Sequence, residues 1–92
     1  MNVTVQGIAV EFDRDRLFDY RNMKRLYSFA GDANLAEFDK WGSDVFGAEQ
    51  WESMIDRFAE SHDGSVPIFE WVGFVNEVIN TAKETDETSK NS

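Results

Sequence analysis

Three glycines, Gly31, Gly47 and Gly64, cut most of the chain into apolar stripes of helical period. Asp13 or Asp15 opens the first stripe, which runs Leu17, Tyr20, Met23, Tyr27 and Ala30 at spacings of three and four, widened by Leu26 and Phe29. Gly31 ends it. Asn34 and Glu37 have capping-box spacing. The second stripe follows as Leu35, Phe38, Gly42 and Val45, with Trp41 and Phe46 beside it. Beyond Gly47, Ala48, Trp51, Met54, Ile55, Phe58 and Ala59 form the cleanest amphipathic pattern. After an Asp63-Gly64 corner, Ser65 is placed to cap a fourth helix with Pro67 in its first turn. That helix carries Ile68, Trp71, Val72, Val75, Val78, Ile79 and Ala82, plus Phe69 and Phe74, which lie off the face the others set.

The N-terminal segment has a different period. Val3 and Val5 alternate with polar residues, and Ile8, Val10 and Phe12 do so in the opposite phase. A two-residue turn at Gln6-Gly7 accounts for the switch and puts Val5 opposite Ile8 and Val3 opposite Val10 on one face. A single bent strand is the alternative. A lone hairpin is marginal in water, so its apolar face must pack on something.

With 92 residues the chain is one small domain. The expected fold is mainly α: about four helices in a small bundle over residues 1–82, with a short β-hairpin in 1–12. The polar segment 83–92, almost without apolar residues, is expected to be a disordered acidic tail. A net charge of −9 argues against nucleic acid or an anionic membrane as a partner. The absence of cysteine excludes disulfides and thiolate chemistry. No apolar run approaches membrane-spanning length and no signal-peptide pattern opens the chain, so a cytoplasmic protein is expected.

Few residues suggest chemistry. Asp63, Gly64, Val66 and Glu70 have the offsets of the second half of an EF-hand loop, but Ala59 stands where the first carboxylate belongs and Pro67 stiffens the loop near its ninth position. A helix–loop–helix corner is the better reading, with a degenerate calcium site as an alternative. His62 is the single histidine and has no nucleophile in a recognisable motif. Glu49, Glu52, Asp56 and Glu60 read as a solvated helix face. Arg14, Arg16, Arg21, Lys24 and Arg25 cluster early; with Arg14, Arg21 and Arg25 near one side of the first helix, they read as a mixed-charge face that pairs with that acidic third helix, the alternative being an edge that docks an acidic partner segment. No catalytic, cofactor or metal-binding residue is assigned, and no enzymatic activity is expected.

Interaction is therefore the default role. The last helix is apolar on more than one side, and tryptophans anchor both cores and interfaces. Trp51, Met54, Phe58, Phe69, Trp71 and Phe74, on the third and fourth helices, are the candidate partner surface.

The order of segments resembles a known family. An N-terminal "VTVQGIAVEFD" leads to a "DRLFDYRNMKRL" helix, then "VFGAEQWESMIDRF", then "DGSVPIFEWVGFVNEVINTAKE" and a polar end in "SKNS". This pattern is similar to the small tail assembly chaperones of long-tailed bacteriophages and prophages. The resemblance implies binding to the long helical tape measure protein, which is kept soluble while tail tube subunits are recruited. It also implies a host-cytoplasmic location, and the family often yields a longer product by ribosomal frameshifting. It carries no catalytic residues. Self-association is left open. A different acidic interaction module, inhibitor- or antitoxin-like, is the other reading.

Overall fold

In a computed structural model of the chain, residues 1–32 and 35–91 are described, with side chains for 1–28 and 35–85. The cap expected at Asn34 and the stripe positions Phe29 and Ala30 lie outside the described residues and side chains. Two strands, β1 (Asn2–Val5) and β2 (Ile8–Glu11), precede five helices: α1 (Arg14–Leu17), α2 (Tyr20–Asp32), α3 (Leu35–Phe46), α4 (Ala48–Glu60) and α5 (Ile68–Asn91). The chain is mainly helical with an N-terminal hairpin, as its periodicities predict.

The hairpin has the expected register, with Val5 opposite Ile8 and Val3 opposite Val10. Gln6 and Gly7 have φ of 52° and 79°, the pair of positive angles a type I′ turn requires. Glycine adopts such an angle without steric cost, and Gln6 has to bear it. Main-chain bonds between Met1 and Phe12, at 2.9 and 3.0 Å, extend the ladder by one pair. Val3, Val5, Ile8 and Val10 are buried while Asn2, Thr4, Ala9 and Glu11 face out. The apolar face is covered by helices, β1 lying against α5 and β2 against α4.

The stretch expected as one helix before Gly31 is two. Asp13 caps α1, accepting from the amides of Asp15 and Arg16, and the helix stops at Phe18. Asp19 then starts α2: its carboxylate accepts from the Arg21 amide at 2.8 Å and its carbonyl from the Met23 amide at 2.9 Å. Asn22 ties the two pieces together by donating to the Arg16 carbonyl at 2.7 Å. The break resets the helical phase. Met23 and Leu26 pack against the core, whereas Tyr20 and Tyr27, expected in the same stripe, are 77% and 75% exposed. Gly31 lies within α2, which the structure carries to Asp32.

The core is largely aromatic. Trp41, Trp51, Phe58 and Phe74 are fully buried, with Phe38, Phe46 and Trp71 nearly so. The two most enclosed tryptophans also carry satisfied N–H groups. Trp41 donates to the Asn22 carbonyl of α2 at 2.9 Å, and Trp51 to the Asp39 carboxylate of α3 at 2.8 Å. Each indole thus locks its helix to the one before it. Trp51 lies directly on Gly42, where an added Cβ would overlap its ring. Glycine at that point lets α3 and α4 approach closely enough for the indole to fit between them. Among the described side chains of α5, Ala82 is the last that is buried in the core. Helical backbone nonetheless continues to Asn91, through the polar segment that composition sets apart from the domain.

Gly42→Ala is expected to lower unfolding stability by about 1–3 kcal/mol, the usual cost of overpacking a rigid aromatic core. Gly73→Ala, where a Cβ meets open space on α5, is expected to raise it by about 0.5–1 kcal/mol through helix propensity. Urea titration of the two variants against the parent checks both signs.

Candidate interaction surface

The six candidate residues divide sharply. Trp51, Met54, Phe58, Trp71 and Phe74 lie inside, between 0% and 7% exposed, while Phe69 is 89% exposed. The apolar faces of α4 and α5 meet each other: Trp51 and Trp71 have centroids 5.1 Å apart, Phe58 and Trp71 5.3 Å, Phe58 and Phe74 5.4 Å. These side chains form the seam between two helices of one molecule, not an open surface. Phe74 corrects the sequence reading. With Trp71, Val75 and Val78 it completes an i, i+3, i+4, i+7 set that is buried throughout, so Phe69 is the residue left off the face.

Phe69 has apolar company that the sequence reading did not single out. Val66 and Ile68 are 37% and 40% exposed. All three sit where the corner after α4 hands over to α5. That corner is made as expected by positive φ at Gly64 (85°), joined by Asp63 (57°). The Gly64 amide returns to the Ala59 carbonyl at 2.8 Å, closing the α4 terminus. Ser65 does not cap α5. Its hydroxyl donates back to the His62 carbonyl at 3.0 Å, and the first helical carbonyl of α5 is that of Pro67, which accepts from the Trp71 amide at 2.9 Å. Pro67 therefore stands just ahead of the helix, with Val66 on its loop side and Ile68, the first residue of α5, on its helix side. Apolar residues on both sides of a proline at a loop–helix junction are the signal that could have found them.

His62 holds this corner in place. Its ring stacks on Phe58 at 4.1 Å between centroids and 20° between planes. Its Nδ1 lies 2.9 Å from the Phe58 carbonyl and from Ser61 Oγ, and its Nε2 lies 3.4 Å from Glu70 Oε2. Glu70, the residue a calcium loop would need as its closing ligand, is thus turned toward an imidazole. Among the described residues no three His, Asp or Glu side chains converge as a metal set would.

The charged groups lie on the outside, and no polar or charged side chain among the described residues is buried. Glu49, Glu52, Asp56 and Glu60 line a shallow, open depression along α4 together with Ala48, Ser53 and one cation, Arg57. The early cations do not reach it. Arg25 pairs with the Asp44 carboxylate of α3 at 3.2 Å, Arg16 donates to the Asp44 carbonyl at 3.4 Å, and Arg14 meets Asp15 at 3.0 Å. The cluster expected to neutralise α4 instead clamps α1 and α2 onto α3.

Comparison with protein-family models, with curated proteins and with solved structures finds no match.

Phe69→Ser is expected to leave stability within about 0.5 kcal/mol of the parent, whereas Phe58→Ala, which opens the α4–α5 seam, is expected to cost about 3–5 kcal/mol. Thermal unfolding of both variants separates the surface role from the core role. Adding calcium to millimolar concentration is expected to leave the parent's unfolding temperature unchanged, because ligand-linked stabilisation requires a site that binds the folded state. An upward shift in the same thermal scan would reinstate the calcium site.

Proposed function

We propose that the chain is a non-enzymatic tail assembly chaperone of a long-tailed bacteriophage or prophage, acting in the host cytoplasm. In this reading it binds amphipathic helices of the tape measure protein, keeps that protein soluble and helps recruit tail tube subunits. Two things support it: the ordered sequence resemblance and one structural observation. That observation is Val66, Ile68 and Phe69, exposed apolar side chains at the corner between α4 and α5; among the described residues the other large hydrophobics exposed are Tyr20, Tyr27 and Leu35, the last of them expected in the buried stripe of α3.

The physical logic is direct. An amphipathic helix in water exposes one apolar stripe. Covering part of that stripe with Phe69 and its neighbours removes apolar area from water, at roughly 25 cal/mol per Å². A coat carrying net charge −9 per molecule then keeps the complex from collapsing on itself. Exposed aromatic anchors at interfaces commonly dominate the binding energy. Phe69 has that position here, and the rigid corner held by His62 fixes its direction in advance.

Co-expression with a phage tape measure protein, which the reading expects to be encoded nearby, tests it. The soluble fraction of the tape measure protein is expected to rise, and the two are expected to co-purify. Phe69→Ser is expected to weaken the complex by about tenfold, equivalent to about 1.4 kcal/mol. A folded parent protein that neither co-purifies with its tape measure partner nor changes its solubility would sink the proposal.

A further inference from the structure

We infer, on the reading of the chain as a binder of helices, that the outward face of α5 is a docking seam for a basic amphipathic helix, with Phe69 as its knob and Gly73 as its notch. Phe69, Gly73, Asn76 and Asn80 fall at i, i+4, i+7 and i+11 and so line one side of α5. That side lies opposite the buried set of Trp71, Phe74, Val75 and Val78. All four residues are exposed and none is charged. Their spacing alternates four and three, the rhythm of a helix–helix seam.

The fold itself uses neither Phe69 nor Gly73. Gly73 stands inside a helix, where glycine is among the poorest residues. Gly42 has its reason in the ring of Trp51, whereas at Gly73 an added Cβ would meet nothing within 4 Å. Phe69, one turn earlier, leaves 89% of its surface in water. A bulky ring beside a missing side chain is a shape that admits a second helix closely: a side chain of that helix enters over Gly73 while Phe69 packs on its flank. Asn76 and Asn80 continue the seam, and their amides make no hydrogen bond among the described residues. The occupant is a helix for a further reason. The middle of α5 offers side chains and no free main-chain groups, so whatever lies along it must satisfy its own backbone, as a helix does and a lone strand does not.

The borders of the seam set the charge of the occupant. Glu70 and Glu77, seven residues apart, stand along one border, and half-buried Val72 and Ile79 stand along the other. Glu70 lies beside His62 Nε2 at 3.4 Å, and Glu77 accepts from Gln6 Nε2 at 3.5 Å. Both carboxylates stay exposed, and neither meets a lysine or arginine among the described residues. A helix with lysine or arginine beside its apolar stripe complements this border. A second copy of this chain does not, because it brings the same two carboxylates and the same net charge of −9.

Isothermal titration calorimetry with two synthetic amphipathic peptides of about 20 residues, long enough to form helix, tests this. Both carry leucine along the stripe; one has lysine beside it and the other glutamate. The parent is expected to bind the lysine peptide, and the glutamate peptide at least about tenfold more weakly. Gly73→Ala is expected to lower affinity for the lysine peptide about tenfold, since its methyl fills the notch, although the same change stabilises the folded chain. Weaker binding together with higher stability is a combination that a merely structural glycine does not give. Glu77→Gln is expected to flatten the salt dependence of binding. Full affinity in Gly73→Ala overturns the inference, as does equal affinity for the two peptides or a parent that binds neither. Co-purification of the tape measure protein separates this inference from the chaperone role. Capture by the parent and equally by Gly73→Ala keeps the chaperone and removes the seam. Failure of capture by the parent removes the chaperone, and the peptide titrations still decide the seam.

Discussion

The rest of the structure depends on the seat of Trp51 on Gly42. The indole enters from α4, rests on α3 where no Cβ blocks it, and gives its N–H to Asp39 of the same helix. Once there it meets rings of two helices: Phe38 at 5.8 Å, Trp41 at 6.4 Å and Phe46 at 5.7 Å from α3, and Trp71 at 5.1 Å from α5. A tryptophan buried this deeply needs both shape and a hydrogen-bond acceptor, since an unpaired indole N–H in an apolar interior costs more than the bond itself contributes. Gly42 provides the first and Asp39 the second. The α3–α4 pair thus becomes a rigid plate on which α2 docks through Trp41 and against which α5 and the hairpin close.

From that plate the surface follows. The apolar residues of α4 are used up against α3, β2 and α5, and most of those of α5 against β1 and α4, so what remains outside is set by the geometry of the corner between the last two helices. Positive φ at Asp63 and Gly64 turns the chain, the His62 ring on Phe58 fixes the turn, and Val66, Ile68 and Phe69 emerge on its far side. The same corner keeps Glu70 beside His62. A segment that resembles half a metal loop in its residue types is, in three dimensions, a bracket that presents apolar side chains.

Much of this architecture was legible from residue order, for reasons that differ by element. The hairpin was readable because the alternation changes phase at Gln6-Gly7, which leaves only one register that keeps four aliphatic side chains on one face. The α4 helix was readable because its stripe is unbroken and its ends carry glycine. The α1–α2 break was not, because Asp19 lies inside an apparently continuous three-and-four pattern, and a cap within a stripe looks like one polar residue among others. Tyr20 and Tyr27 were misplaced for the same reason: the break rotates them out of phase with Leu17. The candidate surface was the least legible part. A stripe of Trp51, Met54 and Phe58 states that a face will be covered, not what will cover it, and here the cover is α3, β2 and α5 of the same molecule. Phe69 and Phe74 were read alike as lying off the face of α5, and only Phe69 does.

The packing of β1 against α5 has a consequence for how the chain is made. Val3 and Val5 lie early in the sequence and their cover, Phe74 through Ala82, lies late. Contacts of such long sequence separation form slowly, since the intervening loop must close first. On the ribosome the hairpin's aliphatic face therefore waits, wet, while the whole helical plate is synthesised. Only when α5 clears the exit tunnel can it be shielded. The domain is accordingly closed by α5, and a nascent chain stalled before that point exposes both a sheet face and the aromatic seam to whatever chaperones the cell supplies.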